Sequence, residues 1–465
     1  MAAWKDAKEA FVSGGSGGGL CDLLVTTAVV PAWFSLRLKV GRPDEGFLRC
    51  FAADAALVAL PLALVCTLAA DRALVLLLLP LALLFFVPRA GGARALALDG
   101  GVEGLRAFRS AQAVSVAIVI LACDFRAFPR RHLKTEAFGF SLMDLGVGSF
   151  VFGNALVADR RSHAPLKRGA APLAVLGLLR LASLKLLGYP EHVSEYGIHW
   201  NFFATAACVD LFHRRLESLP QLRQRPALVS VLLVALREVV VDDAWVLHAQ
   251  RFVETSKGPS ALQSLWHADR EGLVSLFGYC AIHCAALAVA GPISRLEAPP
   301  VGAADRRGEK AVRSAASSFA VGPALAVSAV ACTCLVAVSS GVLEPSRRLA
   351  NAGYVVLTLG VNCGLVVAFT APVRFLDIGS FRNRLPRHSL LRLADRHQLA
   401  WFVCSNVFCG LANLSHDTMA WKANDARIII VLCAYVAAVA AAVRFIDFNR
   451  RAAVKGPKEA SGRPA

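Results

Sequence analysis

The sequence has no internal repeat, no apolar leader core at its start and no cysteines at paired loop spacing. The missing repeat weakens assignment to the transporter folds built from duplicated halves. The N-terminus, MAAWKDAKEAFVSGGSGGG, is polar and glycine-rich. The first apolar segment is therefore expected to remain as an uncleaved anchor rather than to leave as a signal peptide. The thirteen cysteines are mostly scattered inside apolar runs, Cys208, Cys332, Cys334, Cys404 and Cys409 among them, which predicts reduced packing residues. Cys280-x-x-His283-Cys284 has metal-like spacing, but it sits in an apolar segment without carboxylate support, and no metal is expected there. Gly14–Gly18 matches G-x-S-x-G, yet no strand pattern precedes it, which excludes Ser16 as a hydrolase nucleophile.

What the chain has in excess is apolar length. Of its 465 residues 56% are hydrophobic, with a mean hydropathy of +0.54, against about 45–50% apolar in soluble domains. The apolar residues form thirteen runs near bilayer length. They lie roughly at 20–37, 51–70, 73–89, 111–127, 138–158, 171–188, 199–216, 226–242, 273–294, 317–339, 350–373, 397–414 and 427–446. This predicts an all-α, polytopic membrane protein with about 13 transmembrane helices. A polar segment, 1–19, precedes a single multi-span domain, 20–446, and a basic tail, 447–465, follows.

The net charge of +17 punctuates these runs, so it reads as topology rather than nucleic-acid binding. With the N-terminus outside the cytosol, Arg37–Arg42, Arg89–Arg109, Arg160–Arg168, Arg214–Arg225, Arg295–Arg313, Arg374–Arg396 and the tail all fall inside. Arg126–Lys134 breaks the rule: it is strongly basic and falls on the other side. Either it is a tolerated exception or its cations bind an anion.

That basic cluster opens the stretch around which the chain is organised, FPRRHLKTEAFGFSLMDLGVGSFVFGN, Phe128–Asn154. Arg130, Arg131, His132 and Lys134 run directly into an apolar segment holding one carboxylate, Asp144. Read as a helix, it places Ser141, Asp144 and Gly148 on one face. A carboxylate at the centre of a membrane helix costs about 2.5–3.5 kcal/mol, which a cation, a hydrogen-bond network or a reaction must offset. Arg180 is a candidate partner for that carboxylate or for a substrate phosphate, and Asp54 is expected to face the bundle interior. In EYGIHWNFF, Glu195, His199 and Trp200 stand at i, i+4 and i+5 before Asn201. A carboxylate oriented toward an imidazole suits a general base, and the same spacing suits an interfacial aromatic belt with a structural His–Glu pair. Asn362, Asn406 and Asn413 are intramembrane amides expected to bridge helices. Asn413-Leu-Ser415 is a glycosylation sequon at a membrane edge, expected to stay bare.

The chain resembles the glucosaminyl-phosphatidylinositol inositol acyltransferases of glycosylphosphatidylinositol anchor synthesis, the PIG-W/Gwt family. The matching stretches are Lys8–Gly14, Phe128–Phe152, Ser194–Phe203 and, more loosely, Asn406–Thr418. His132-Leu133-Lys134 departs from the usual Phe-Ala-Lys but keeps the basic residue. The resemblance implies acyl transfer from acyl-CoA, as co-substrate without a further cofactor, to the inositol 2-hydroxyl of glucosaminyl-phosphatidylinositol in the endoplasmic reticulum membrane. No nucleic acid and no obligate protein partner is implied. The lipid acceptor is an anion, which gives Arg130, Arg131 and Lys134 a purpose. A weak hydroxyl nucleophile needs a base and an oxyanion partner. Asp144 is expected as base and Lys134 as its cation, with His199, supported by Glu195, as the second candidate base. Ser141, Arg180, Trp200 and Asn201 complete the expected substrate contacts. The HxxxxD signature of glycerolipid acyltransferases is absent. A transporter or flippase for an anionic lipid is the rival class.

Overall fold

The computed structural model describes residues 2–42, 44–88, 103–158, 169–187, 200–248, 261–297, 309–375, 385–386 and 388–455. Among them there is no strand, and each of the thirteen apolar runs overlaps a helix without being helical throughout. In lipid no water satisfies backbone N–H and C=O groups, so apolar chain coils into helices that satisfy their own. After α1 (Ala2–Val12) come α2 (Leu20–Val40), α3 (Phe47–Val65), α4 (Ala73–Phe86) and α5 (Glu103–Ala122). They are followed by α6 (Leu145–Ala155), α7 (Ala170–Leu187), α8 (Phe202–Glu217) and α9 (Pro226–Val240). Then follow α10 (Ala261–Glu297), α11 (Glu309–Ser339), α12 (Ala352–Phe375), α13 (Gln398–Ser415) and α14 (Arg427–Lys455). Six of these, α2, α3, α5, α10, α12 and α14, contain stretches long and apolar enough to cross a membrane. The chain is an all-α polytopic membrane protein.

The helices divide into two compact units. One takes residues 25–129 and 368–465. Its interior holds the charge that Asp54 was expected to bring: Asp54 is fully buried at 0% exposure. The carboxylate accepts from Arg37 Nε at 2.7 Å, Ser389 Oγ at 2.8 Å and Leu390 N at 2.7 Å. Leu390 opens the short Leu390–Arg396 helix, so Asp54 satisfies one of its otherwise orphaned first amides. The other edge of Arg37 meets Glu45 at 2.8 Å. A π-turn, Ala55–Ala59, follows Asp54 directly in α3, a local widening often found beside functional or strained groups.

Asn413 in α13 bridges as an intramembrane amide should: Nδ2 donates to Asp124 Oδ2 at 2.6 Å, and its carbonyl accepts from Thr418 at 3.2 Å. Asn406 and Asn362 instead donate to carbonyls one turn back in their own helices. With both ends of its amide engaged and 4% exposure, Asn413 is closed to oligosaccharide transfer. Glycosidase treatment of the protein expressed in eukaryotic cells should leave its electrophoretic mobility unchanged.

The second unit takes residues 1–24 and 130–367. Its apolar core includes a cluster of Leu23, Leu145, Val338, Leu357 and Val361, which seats the start of α6 against α12. Two close approaches tighten it. At Gly148 in α6 a side chain would overlap Thr358 and Tyr354 of α12. At Gly278 in α10 a side chain would overlap the backbone of Ala350, itself a non-glycine residue at φ +44°. Such a conformation costs roughly 1–2 kcal/mol and persists here because the packing over-determines the 344–351 connection.

Candidate active site

The run 138–158 was expected as one helix carrying Ser141 and Asp144 on its face. The helix begins later, at Leu145, with Asp144 as its N-cap and Ser141 ahead of it. The reason lies in competing hydrogen bonds. Gly139, at φ +113°, donates to Pro345 O at 2.8 Å, Phe140 O accepts from Gly18 N at 3.1 Å, and Met143 N donates to His132 O at 3.2 Å. These bonds to other segments take the groups a helix would have used. Ser141 still serves Asp144: its hydroxyl accepts from the Asp144 amide at 3.2 Å.

Three segments distant in sequence build the site. The glycine-rich lead-in runs alongside the loop, with Glu136 N donating to Gly15 O at 3.0 Å and Gly14 N donating to Glu136 Oε1 at 2.7 Å. The 344–351 connection closes the far side, Ser346 Oγ donating to Ala137 O at 2.6 Å and Arg348 Nη1 to Glu136 O. Arg348 also grips Glu271 of α10, Nε to Oε2 at 3.0 Å and Nη2 to Oε1 at 2.5 Å.

Asp144 sits at the meeting point. Its side chain is 1% exposed and pairs with Arg347 Nε at 3.0 Å. Thr135 N donates to its two oxygens at 3.2 and 3.3 Å. Burial disfavours the charged carboxylate; Arg347, then Ser141 and Thr135, favour it. The Asp144 carbonyl accepts from Tyr354 Oη at 2.8 Å, and that oxygen accepts from Gly148 N at 3.1 Å. A buried carboxylate is thus fixed at the start of a helix, in a non-helical stretch that other chain segments satisfy.

The remaining candidates fall around it unevenly. Lys134 is half-buried, nine residues after Phe125 and directly before Thr135. Arg130 is exposed, stacks 4.3 Å from the Phe11 ring centroid and donates to Phe11 O at 2.7 Å. Arg131 pairs with Asp22 at 3.0 Å, and His132 Nδ1 lies 3.8 Å from the same carboxylate. Arg180 is half-buried on α7. Glu195 and His199 lie outside the described residues. Trp200 and Asn201 precede α8 rather than belonging to it: Asn201 caps the helix, accepting from Phe203 N and Ala204 N, and donates to Gly177 O at 3.1 Å. Trp200 Nε1 donates to Thr205 Oγ1 at 2.9 Å, and its ring leaves no room for a side chain at Gly272. Around Cys280-x-x-His283-Cys284, His283 Nε2 meets His213 Nδ1 at 3.0 Å.

Sequence reasoning missed Arg347. It stands in a polar connection where cations read as topology, and no spacing links it to a carboxylate 203 positions away.

A GPI-anchored wall transfer protein 1 of Aspergillus fumigatus is 31% identical over 93% of this chain and 95% of its own length. Its counterpart from Aspergillus oryzae is 29% identical over 96% and 98%. A bovine glucosaminyl-phosphatidylinositol-acyltransferase PIGW is 30% identical over 68% of each chain. The GWT1 family pattern runs from residue 4 to residue 446, through the lead-in, the Asp144 loop and the Arg347 connection alike, and the chain belongs to that family.

Proposed function

We propose that this protein transfers an acyl chain from acyl-CoA to the inositol 2-hydroxyl of glucosaminyl-phosphatidylinositol, a step of GPI-anchor synthesis in the endoplasmic reticulum membrane. The bovine relative is named for acyl transfer on that lipid, and the fungal relatives for GPI-anchored wall transfer. The observation that carries the reading is Asp144: a buried carboxylate held by a guanidinium and a backbone amide, inside a segment that resembles the acyltransferases. In the reaction the inositol oxygen bonds to the thioester carbon while Asp144 accepts its proton. The oxyanion that forms on the former carbonyl is met by the Lys134 ammonium. Collapse breaks the C–S bond, and the thiolate leaves with the proton that Asp144 returns. Arg347 holds the carboxylate in place, and Arg130 and Arg131 attract the phosphates of the two substrates. The N-terminus faces the lumen and the basic tail the cytosol.

Purified protein supplied with labelled acyl-CoA and glucosaminyl-phosphatidylinositol should yield labelled acyl-inositol lipid and one free CoA thiol per transfer. Lipid binding with no thiol released would favour a carrier and sink the reaction.

A further inference from the structure

Asp144 stands at the head of a polar ladder inside an apolar helix. Tyr354, Thr358 and Asn362 follow one another at four-residue spacing on α12, hence along one face. The first rung is used: the Tyr354 hydroxyl bridges the Asp144 carbonyl and Gly148 N. The next two are not. Thr358 Oγ1 and Asn362 Oδ1 are buried with no hydrogen-bond partner among the described residues, and both residues are 0% exposed. Tyr279 of α10, also 0% exposed, meets the Tyr354 ring edge-on at 6.1 Å. Thr358 projects toward Gly148, the one residue type on α6 that leaves room for it.

Buried polar atoms without partners are rare, because each forfeits its hydrogen bonds to water. Two on one helix face, following the tyrosine that binds the Asp144 carbonyl, call for a ligand that brings hydroxyls. The chemistry narrows it further. The Asn362 amide nitrogen donates to Thr358 O at 2.7 Å, which fixes the amide's orientation and leaves an oxygen that only accepts. A phosphodiester has no proton to give it, and an acyl chain has neither donor nor acceptor. A polyol ring has both.

We infer that Thr358 and Asn362 form the recognition surface for the hydroxyl-bearing ring of the acceptor, on the α12 face that begins at the Asp144 turn. The inference rests on the acyl-transfer reading for the identity of that ring. The ladder selects the acceptor by pairing its hydroxyls, and in doing so sets which of them faces the Asp144 carboxylate.

The test measures binding to the full-length protein in detergent, by calorimetry, of two lipids. One is glucosaminyl-phosphatidylinositol; the other is phosphatidylmethanol with the same acyl chains, which keeps the phosphodiester and has no headgroup hydroxyl. Wild type should prefer the first. Thr358→Val and Asn362→Leu should each weaken it by about tenfold, the worth of one neutral hydrogen bond. Binding of phosphatidylmethanol and the KM for acyl-CoA should not move, and Thr358→Ser should restore the preference. Unchanged affinity for both lipids in both variants would mean that the ladder holds water only. Equal loss for both lipids, without rescue by serine, would make it structural. Intact ring preference without any acyl transfer would count against the proposed reaction alone and uphold the ladder.

Discussion

Asp144→Asn should lower acyl transfer by about 10²–10⁴-fold, the usual contribution of a general base, and should also lower the melting temperature. The second effect follows from Arg347. With its guanidinium 3.0 Å from the carboxylate and only 4% exposed, the substitution strands a buried cation, which typically costs about 3–5 kcal/mol. The single variant therefore confounds chemistry with folding. The double variant Asp144→Asn/Arg347→Gln separates them, because removing both charges leaves nothing stranded. Melting should recover toward wild type while transfer stays abolished. Recovery of both would reduce Asp144 to a structural partner and move the search for the base to His199.

Gly15→Ala is the second large effect. Gly15 is buried, and a Cβ there would overlap the carbonyl of Lys134. The lead-in cannot retreat without breaking the bond from Glu136 N to Gly15 O. The overlap must be relieved by moving the Lys134 loop, and overpacking of this kind costs about 1–3 kcal/mol. A displacement near 1 Å of a catalytic cation is worth roughly 10²-fold in rate, so turnover should fall further than stability. Gly146→Ala is the control. Among the described residues nothing lies within 4 Å of a Cβ at that helical position, and the change should be neutral or stabilising by up to about 0.5–1 kcal/mol. Turnover and melting measured on the two variants side by side decide the matter; near-normal turnover in Gly15→Ala would remove the lead-in from the site.

The helices were legible because runs of Leu, Ala and Val in lipid have one way to satisfy their backbone. Asp54 was legible too, since a lone carboxylate in such a run must face inward. The Asp144 loop was legible as a site but not as a shape. Its apolar composition looks like a helix, and what keeps 135–143 out of one is a set of bonds to residues 15–18 and 345–348. The lead-in Ser13–Gly19 has no periodicity of its own; its form comes from the groups it serves. Arg347 was illegible for the same reason, since its meaning is supplied by a residue from another part of the chain.

The Arg347 connection has a bearing on how the protein is made. Asp144 and Lys134 emerge during synthesis some two hundred residues before Arg347 and Ser346, which lie 203 and 209 positions from their partners, and the lead-in emerges earlier still. Until then the loop's carbonyls and its carboxylate wait in or near the bilayer without the groups that neutralise them. A chain stopped ahead of residue 344 would hold every expected catalytic residue and still present an unfinished loop to the insertion and quality-control machinery. Non-local contacts are slow to form in folding, and the Asp144–Arg347 pair is one of them. A nascent chain thereby lacks the Asp144–Arg347 pair until the chain has been made through α11.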